Sequence, residues 1–197
     1  MEYQKIKFGN VDIEGKDRYP EYRLVFPEKP IDKTILDVGC NLGFYCFMAH
    51  SEGAKRCLGI DNHSAFIMTA NSIKERLKYY KMIQSAIPAL DFIQTDVLND
   101  YNYGTFDVVL LLYVVHHFTK IEDAEIVIRK CYDMANEVAI FGVLNPTESV
   151  SFQWLINRKG NKKLALADKY FTDLFPNNKI EVIYSTVDER SIIKIWK

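Results

Sequence analysis

The residues best suited to chemistry are acids and glycines in the first half of the chain and a histidine pair beyond its midpoint. In Thr34-Ile-Leu-Asp-Val-Gly-Cys-Asn-Leu-Gly43, Asp37 precedes Gly39, Cys40, Asn41 and Gly43. A carboxylate at a strand end can contact the polar groups of a ligand. Glycine lets the backbone approach, and N–H groups at the next helix start point toward the ligand. A glycine turn kept only for packing is the competing reading. Asp61, with Asn62 beside it, follows the glycines by roughly 20 residues, the spacing at which an acid on a second strand tip meets ribose hydroxyls. Asp96-Val97 follows a third apolar stretch, and Tyr113, His116 and His117 follow a fourth. The two histidines are candidate general bases, with His117 ahead of His116. Purely structural roles for both remain open.

These residues need elements to position them. Ile35, Leu36 and Val38 read as a short buried strand, and Phe44 to His50 as the following helix. Arg56 to Ile60, Phe92 to Thr95 and Phe106 to Leu112 read as strands two to four, and Val138 to Val143 as the fifth. A helix over about 64–82 has a core face of Phe66, Ala70, Ile73, Leu77 and Tyr80. Thr119-x-x-Glu122 is a capping-box pattern that starts a helix near Lys120, with Ala124, Val127, Ile128 and Cys131 on its core face. Ile6 and Phe8 alternate toward Gly9-Asn10, and Val11 and Ile13 lead away, which predicts a hairpin pairing Phe8 with Val11 and Ile6 with Ile13. Residues 14–33 read as an irregular connector, with Arg18, Tyr19, Tyr22 and Arg23 on a solvated surface or, as the alternative, facing the pocket. Residues 147–175 read as two helices broken near Gly160, and 180–196 as a closing strand pair around Asp188-Glu189-Arg190.

The ordered set resembles the class I S-adenosylmethionine (SAM)-dependent methyltransferases. Asp37-Val-Gly-Cys-Asn-Leu-Gly43 is similar to that family's D/E-x-G-x-G-x-G turn, with Asn41 in place of the middle glycine. Asparagine tolerates positive φ better than other non-glycine residues. The resemblance covers about Thr34 to Val143 and implies a fold: α/β, a Rossmann-like doubly wound sheet, mostly parallel with an antiparallel C-terminal hairpin strand. It implies SAM as cofactor, held by Asp37, Gly39, Cys40, Asn41, Gly43, Asp61, Asn62, Asp96, Val97 and Tyr113. It also places His116 and His117 at the pocket lip. The segment containing the turn and Gly59-Ile-Asp61 has a looser, local resemblance to methyltransferases that modify the tRNA wobble uridine.

With 197 residues and a net charge of −1, the chain has room for one full α/β core and no global attraction for nucleic acid or membrane. Residues 1–33 are expected to form an N-terminal hairpin and connector, which can act as a lid, and 34–197 the methyltransferase domain. The four cysteines contain no C-x-x-C pair, suggesting core thiols in a reducing compartment. No metal-ligand constellation is present, and the longest apolar run, Val108 to Val115, is too short to span a bilayer. A soluble, cytoplasmic protein is expected.

The acceptor is the least determined part. A small polar molecule is favoured. An RNA acceptor is the alternative, through the basic stretch of Arg158, Lys159, Lys162 and Lys163 near Trp154 and Tyr170. A non-catalytic SAM-binding partner subunit is the reading from another class. A dinucleotide oxidoreductase is disfavoured, because the turn is G-x-x-x-G and not G-x-G-x-x-G.

Overall fold

A computed structural model describes residues 5–8, 11–79, 90–99, 103–144, 165–185 and 190–197. The chain forms two compact units, Met1–Tyr101 and Asn102–Lys197.

In the first unit, strands β1 (Ile6–Phe8) and β2 (Val11–Ile13) pair antiparallel with Phe8 opposite Val11 and Ile6 opposite Ile13. The alternation of apolar residues predicted this register. Helix α1 (Tyr19–Val25) follows, where the sequence suggested an irregular connector. Pro20 sits in its first turn, where a missing N–H costs nothing and the fixed φ suits a helix. Tyr22 is fully buried, not solvated. Its ring packs on Phe26, Phe44 and Tyr45, and its hydroxyl donates to Glu52 at 2.9 Å. Arg23 also pairs with Glu52, while Glu21 accepts from Tyr45 and from Arg18. The helix is thereby bound through polar contacts to α2 (Phe44–Ser51) and its C-cap residue Glu52.

Strands β3 (Thr34–Val38), β4 (Arg56–Asp61) and β5 (Leu90–Gln94) pair in parallel, with β4 between the other two. Their central residues are buried in a nearly continuous apolar run, as parallel strands covered by helices require. Helix α2 packs on these strands, and α3 (Ser64–Tyr79) covers β4 and β5. The buried positions of α3 are Ile67, Ala70, Ile73 and Leu77; Phe66 is only half-buried. Tyr80 lies outside the described residues.

In the second unit, β6 (Phe106–Leu112) pairs in parallel with β7 (Ala135–Leu144). Strand β9 (Arg190–Trp196) runs antiparallel to both β7 and β8 (Ile180–Ser185), placing it between them. Helix α4 (Ile121–Met134) packs on β6 and β7 through Ala124, Val127, Ile128 and Cys131. Its N-cap is Lys120, with no side-chain capping bond, so the Thr119–Glu122 pattern does not form a capping box. Helix α5 (Ala165–Leu174) packs on β8. The expected break near Gly160 and the helix before it lie outside the described residues. Strands followed by covering helices, with parallel pairing that turns antiparallel at the C-terminal end, make this a Rossmann-like α/β fold. Among the described residues, no helix is long and apolar enough to cross a membrane.

Candidate functional site

Strand β3 delivers Asp37 to a tight turn. Gly39, Asn41 and Gly43 have φ of 79°, 54° and 84°. Asn41 therefore adopts the left-handed conformation that the family pattern gives to glycine, and its side-chain oxygen accepts the Leu42 N–H at 2.8 Å. Gly43 is required twice over. Its φ is positive, and a Cβ there would lie 2.4 Å from the Phe92 ring. Gly59 on β4 has the same neighbour: a Cβ there would lie 2.6 Å from Phe92 and 2.8 Å from the Cys40 sulfur. The glycine preceding Ile60-Asp61 thus lets the turn close down on β4.

The turn amides do not behave as expected. Gly39 and Cys40 N–H both donate to the Ile60 carbonyl, at 2.8 and 3.0 Å. Asn41 N–H donates to Asp61 Oδ2 at 2.9 Å, and Gly43 N–H to the Cys40 carbonyl at 2.9 Å. With Leu42 on Asn41, all five amides from 39 to 43 hold the loop to itself and to β4. The His63 N–H donates to the other Asp61 oxygen at 2.9 Å. Asp61 is therefore the keystone of the turn, and its carboxylate oxygens still have further lone pairs for a ligand.

Asp37 is 2% exposed, and its Oδ2 has no hydrogen-bond partner among the described residues. Burial, and then the charge of Asp61, push its carboxyl up to about 7. Burial also raises the thiols of Cys40, Cys46 and Cys57, with the Asp37 charge contributing. These are inert core sulfurs rather than nucleophiles. Asp96 Oδ1 accepts the Leu98 N–H at 2.9 Å, forming a local turn that places buried Val97 beside it. Asn62 is exposed, and its carbonyl accepts from Gln94 at 3.3 Å. The first unit thus gathers Asp37, the 39–43 turn, Asp61 and Asn62 around the ends of β3 and β4, with Asp96-Val97 just beyond β5.

The second unit carries the remaining candidates at the end of β6. Tyr113 has φ 59°, unusual for an aromatic residue, and its N–H donates to the Gly142 carbonyl at 2.9 Å. His116 and His117 lie in a 3-10 turn (Val115–His117), their rings 4.0 Å apart. His116 is half-buried with an unpartnered Nδ1, while His117 is exposed. Burial, then His117, then Arg190 lower the His116 pKa to about 4, so its imidazole is neutral at pH 7. Arg190, which the sequence placed in a turn, is the first residue of β9 and stacks on Tyr113. Sequence reasoning passed over it because nothing local links it to β6.

Solved structures share the fold at low identity. An S-adenosylmethionine-dependent methyltransferase from Mesorhizobium loti is 14% identical with TM-score 0.64, over 91% of this chain and 97% of that one. Magnesium protoporphyrin IX methyltransferase from Synechocystis PCC 6803, solved with bound SAM, is 17% identical with TM-score 0.63, over 90% and 75%. Among curated proteins, a tRNA U34 carboxymethyltransferase from Actinobacillus succinogenes is 27% identical over 55% of this chain and 32% of its own length. Another from Shewanella halifaxensis is 28% identical over 43% and 28%. The matches thus span about a third or less of these curated relatives. A family model described as a methyltransferase domain matches residues 36–141, over half of the chain, and the chain belongs to that family.

Proposed function

We propose that the chain transfers a methyl group from SAM to a small polar acceptor, with the cofactor seated on the 37–43 turn. The observation that carries this reading is the polarity of the turn. A dinucleotide pyrophosphate needs free amides to bind its negative charge. Here the amides of residues 39–43 are spent within the protein, and two buried carboxylates stand beside them. Carboxylates suit a ligand with a ribose diol and a cationic amino-acid end, and they do not suit a pyrophosphate. The residues present therefore fit SAM.

When bound, SAM supplies an activated methyl on a sulfonium sulfur. The chain's own groups supply position. Asp61 would accept from the ribose hydroxyls with its remaining lone pairs. Asp37 would face the positive end of the cofactor, which would favour its charged form against the burial that raises its pKa. Gly39, Cys40, Asn41 and Gly43 would shape the turn against which the ligand lies without donating their N–H groups to it, and Asn62, Asp96 and Val97 would line the adenosine side. Holding the reacting atoms in line contributes about 7–11 kcal/mol in favourable cases. Neutral His116 is a hydrogen-bond acceptor for the acceptor substrate, and His117 is the candidate base if the attacking atom must lose a proton.

Calorimetric titration with SAM, S-adenosylhomocysteine (SAH) and NAD tests the cofactor half. Binding of the first two and not of NAD is expected; the reverse order overturns it. Incubating the protein with methyl-labelled SAM and fractionated cell extract tests the acceptor half, with label expected in the small-molecule fraction.

An RNA acceptor is the second reading, favoured by the tRNA U34 carboxymethyltransferases among the relatives. It would use Arg158, Lys159, Lys162 and Lys163, which lie outside the described residues. Its mark is tRNA binding that weakens steeply with salt and is lost when those four residues become alanine. A non-catalytic SAM-binding subunit would bind SAM and label no fraction.

A further inference from the structure

Two hydrogen-bond donors on β9 are buried without a partner, and they share one face of the sheet. Lys194 is 5% exposed, and its ammonium makes no hydrogen bond or ion pair among the described residues. Glu181, opposite it on β8, acts on it only through space. The Nε1 of Trp196 is also buried without a hydrogen-bond partner among the described residues. Successive strand residues alternate between faces, so Lys194 and Trp196 project from the same side with Cα atoms about 7 Å apart. Ile140 and Val138 of β7 pair with them. Lys197, one residue further on, lies instead over the Tyr132 ring of α4.

Lys179, just before β8, joins this group. Its carbonyl accepts the Trp196 N–H at 3.0 Å, and its Nζ lies 5.5 Å from the Trp196 ring centroid. A cation therefore covers the indole face, while the N–H at the indole edge stays unmet. Lys179 is exposed and has no ion pair among the described residues.

Burying an ammonium without an acceptor costs free energy, and burial accordingly lowers the Lys194 pKa, with Glu181 opposing the shift. Methionine would fill the same space without that cost. An unmet buried polar group in a native protein calls for an explanation, and a bound ion supplies one. Here the unmet groups are all donors, and the cations outnumber the single facing acid, Glu181. Such a group suits an acceptor-rich anion. Lysine binds phosphate as a compact point charge, and a tetrahedral phosphate accepts from several directions at once.

We propose that Lys179, Lys194 and the Trp196 indole N–H form a binding site for a phosphate group on the β8–β9 pair, toward the amino end of β7. Tyr113, His116 and His117 follow the carboxyl end of β6, so the site is separate from that cluster.

The test uses the full chain with inorganic phosphate as probe, at constant ionic strength. Calorimetry gives the affinity, and the indole N–H signal of Trp196 is followed by NMR, with Trp154→Phe to assign it. Saturable binding that shifts this signal and raises the Tm is expected. Lys179→Gln changes an exposed residue and should weaken binding about tenfold. Lys194→Met should abolish binding and, without phosphate, be at least as stable as the wild type. Lys179→Gln decides the matter should Lys194→Met fail to fold. Uridine monophosphate bound more tightly than inorganic phosphate would assign the site to a phosphate ester, and the reverse order to the free ion. Either order supports the site. No saturable binding, an equal response to chloride or acetate, an unmoved Trp196 signal, or an unaffected Lys179→Gln variant overturns the proposal.

Discussion

Replacing Asp61 separates its two roles. Its two oxygens accept the Asn41 and His63 N–H groups, each at 2.9 Å, in a side chain that is part of an 8% exposed residue. Hydrogen bonds to a charged group contribute about 1.5–3 kcal/mol each, so Asp61→Ala should cost about 3–6 kcal/mol if water cannot replace the carboxylate, and less if it enters. Asp61→Asn has nearly the same shape but only one acceptor oxygen. One of the two amides then faces an NH2 group, for a cost of about 1.5–3 kcal/mol. Both variants should also lose about ten- to a hundredfold in SAM affinity, because the ribose acceptor is weakened or gone. Urea denaturation of the cofactor-free protein gives the first quantity, and calorimetry at a temperature where the variant is folded gives the second. Asp61→Ala that unfolds at the wild-type urea midpoint would show that the carboxylate does not hold the turn. Normal SAM affinity in a folded Asp61→Asn would remove the residue from the ribose site.

Other expectations follow from the same cradle. The Asp37 pKa is raised from 3.8 to about 7 in the folded state, so the native protein binds an extra proton between those values. Stability from this group is fully present below about pH 4 and falls as pH rises through 7, by on the order of 4 kcal/mol. Asp37→Asn should therefore raise the Tm of the cofactor-free protein at pH 8, leave it near wild type at pH 4, and weaken SAM binding. An unchanged pH–stability profile would contradict this. Gly43→Ala should lower stability by about 1 kcal/mol or more through its positive φ alone, and further through the Phe92 contact. Adding Phe92→Leu to Gly43→Ala should restore part of the loss, as read by urea midpoint. Tyr22→Ala removes a fully buried ring and its bond to Glu52, and should cost about 3–5 kcal/mol. A loss under 1 kcal/mol would mean that α1 is not locked to α2.

The turn that follows β3 was legible because its signals are local. A turn with D-V-G-C-N-L-G fixes its own backbone, and Asn41 takes the left-handed φ that its residue type allows. The register of β1 with β2 was equally local. What sequence did not reveal depends on partners distant in the chain. Pro20 reads as a breaker until it is seen in the first turn of α1, and Tyr22 looks solvated until Phe44 and Tyr45 fold over it. The spending of the turn amides on Ile60 and Asp61 needed the β3–β4 register. Arg190 joins Tyr113 only because β9 returns beside β7, a pairing across almost fifty residues that no periodicity announces. The Thr119–Glu122 pattern located the helix start near Lys120, which is its N-cap, although no side-chain capping bond forms there.

The central claim is that a carboxylate-lined turn binds SAM. Calorimetric titration of SAM into the wild-type protein, repeated in buffers of different ionisation enthalpy, tests it most directly. The account predicts one SAM per chain, competition by SAH, and release of a proton near pH 7 as Asp37 ionises against the bound cation, a release abolished in Asp37→Asn. No saturable heat with SAM, or binding of NAD in its place, would contradict it.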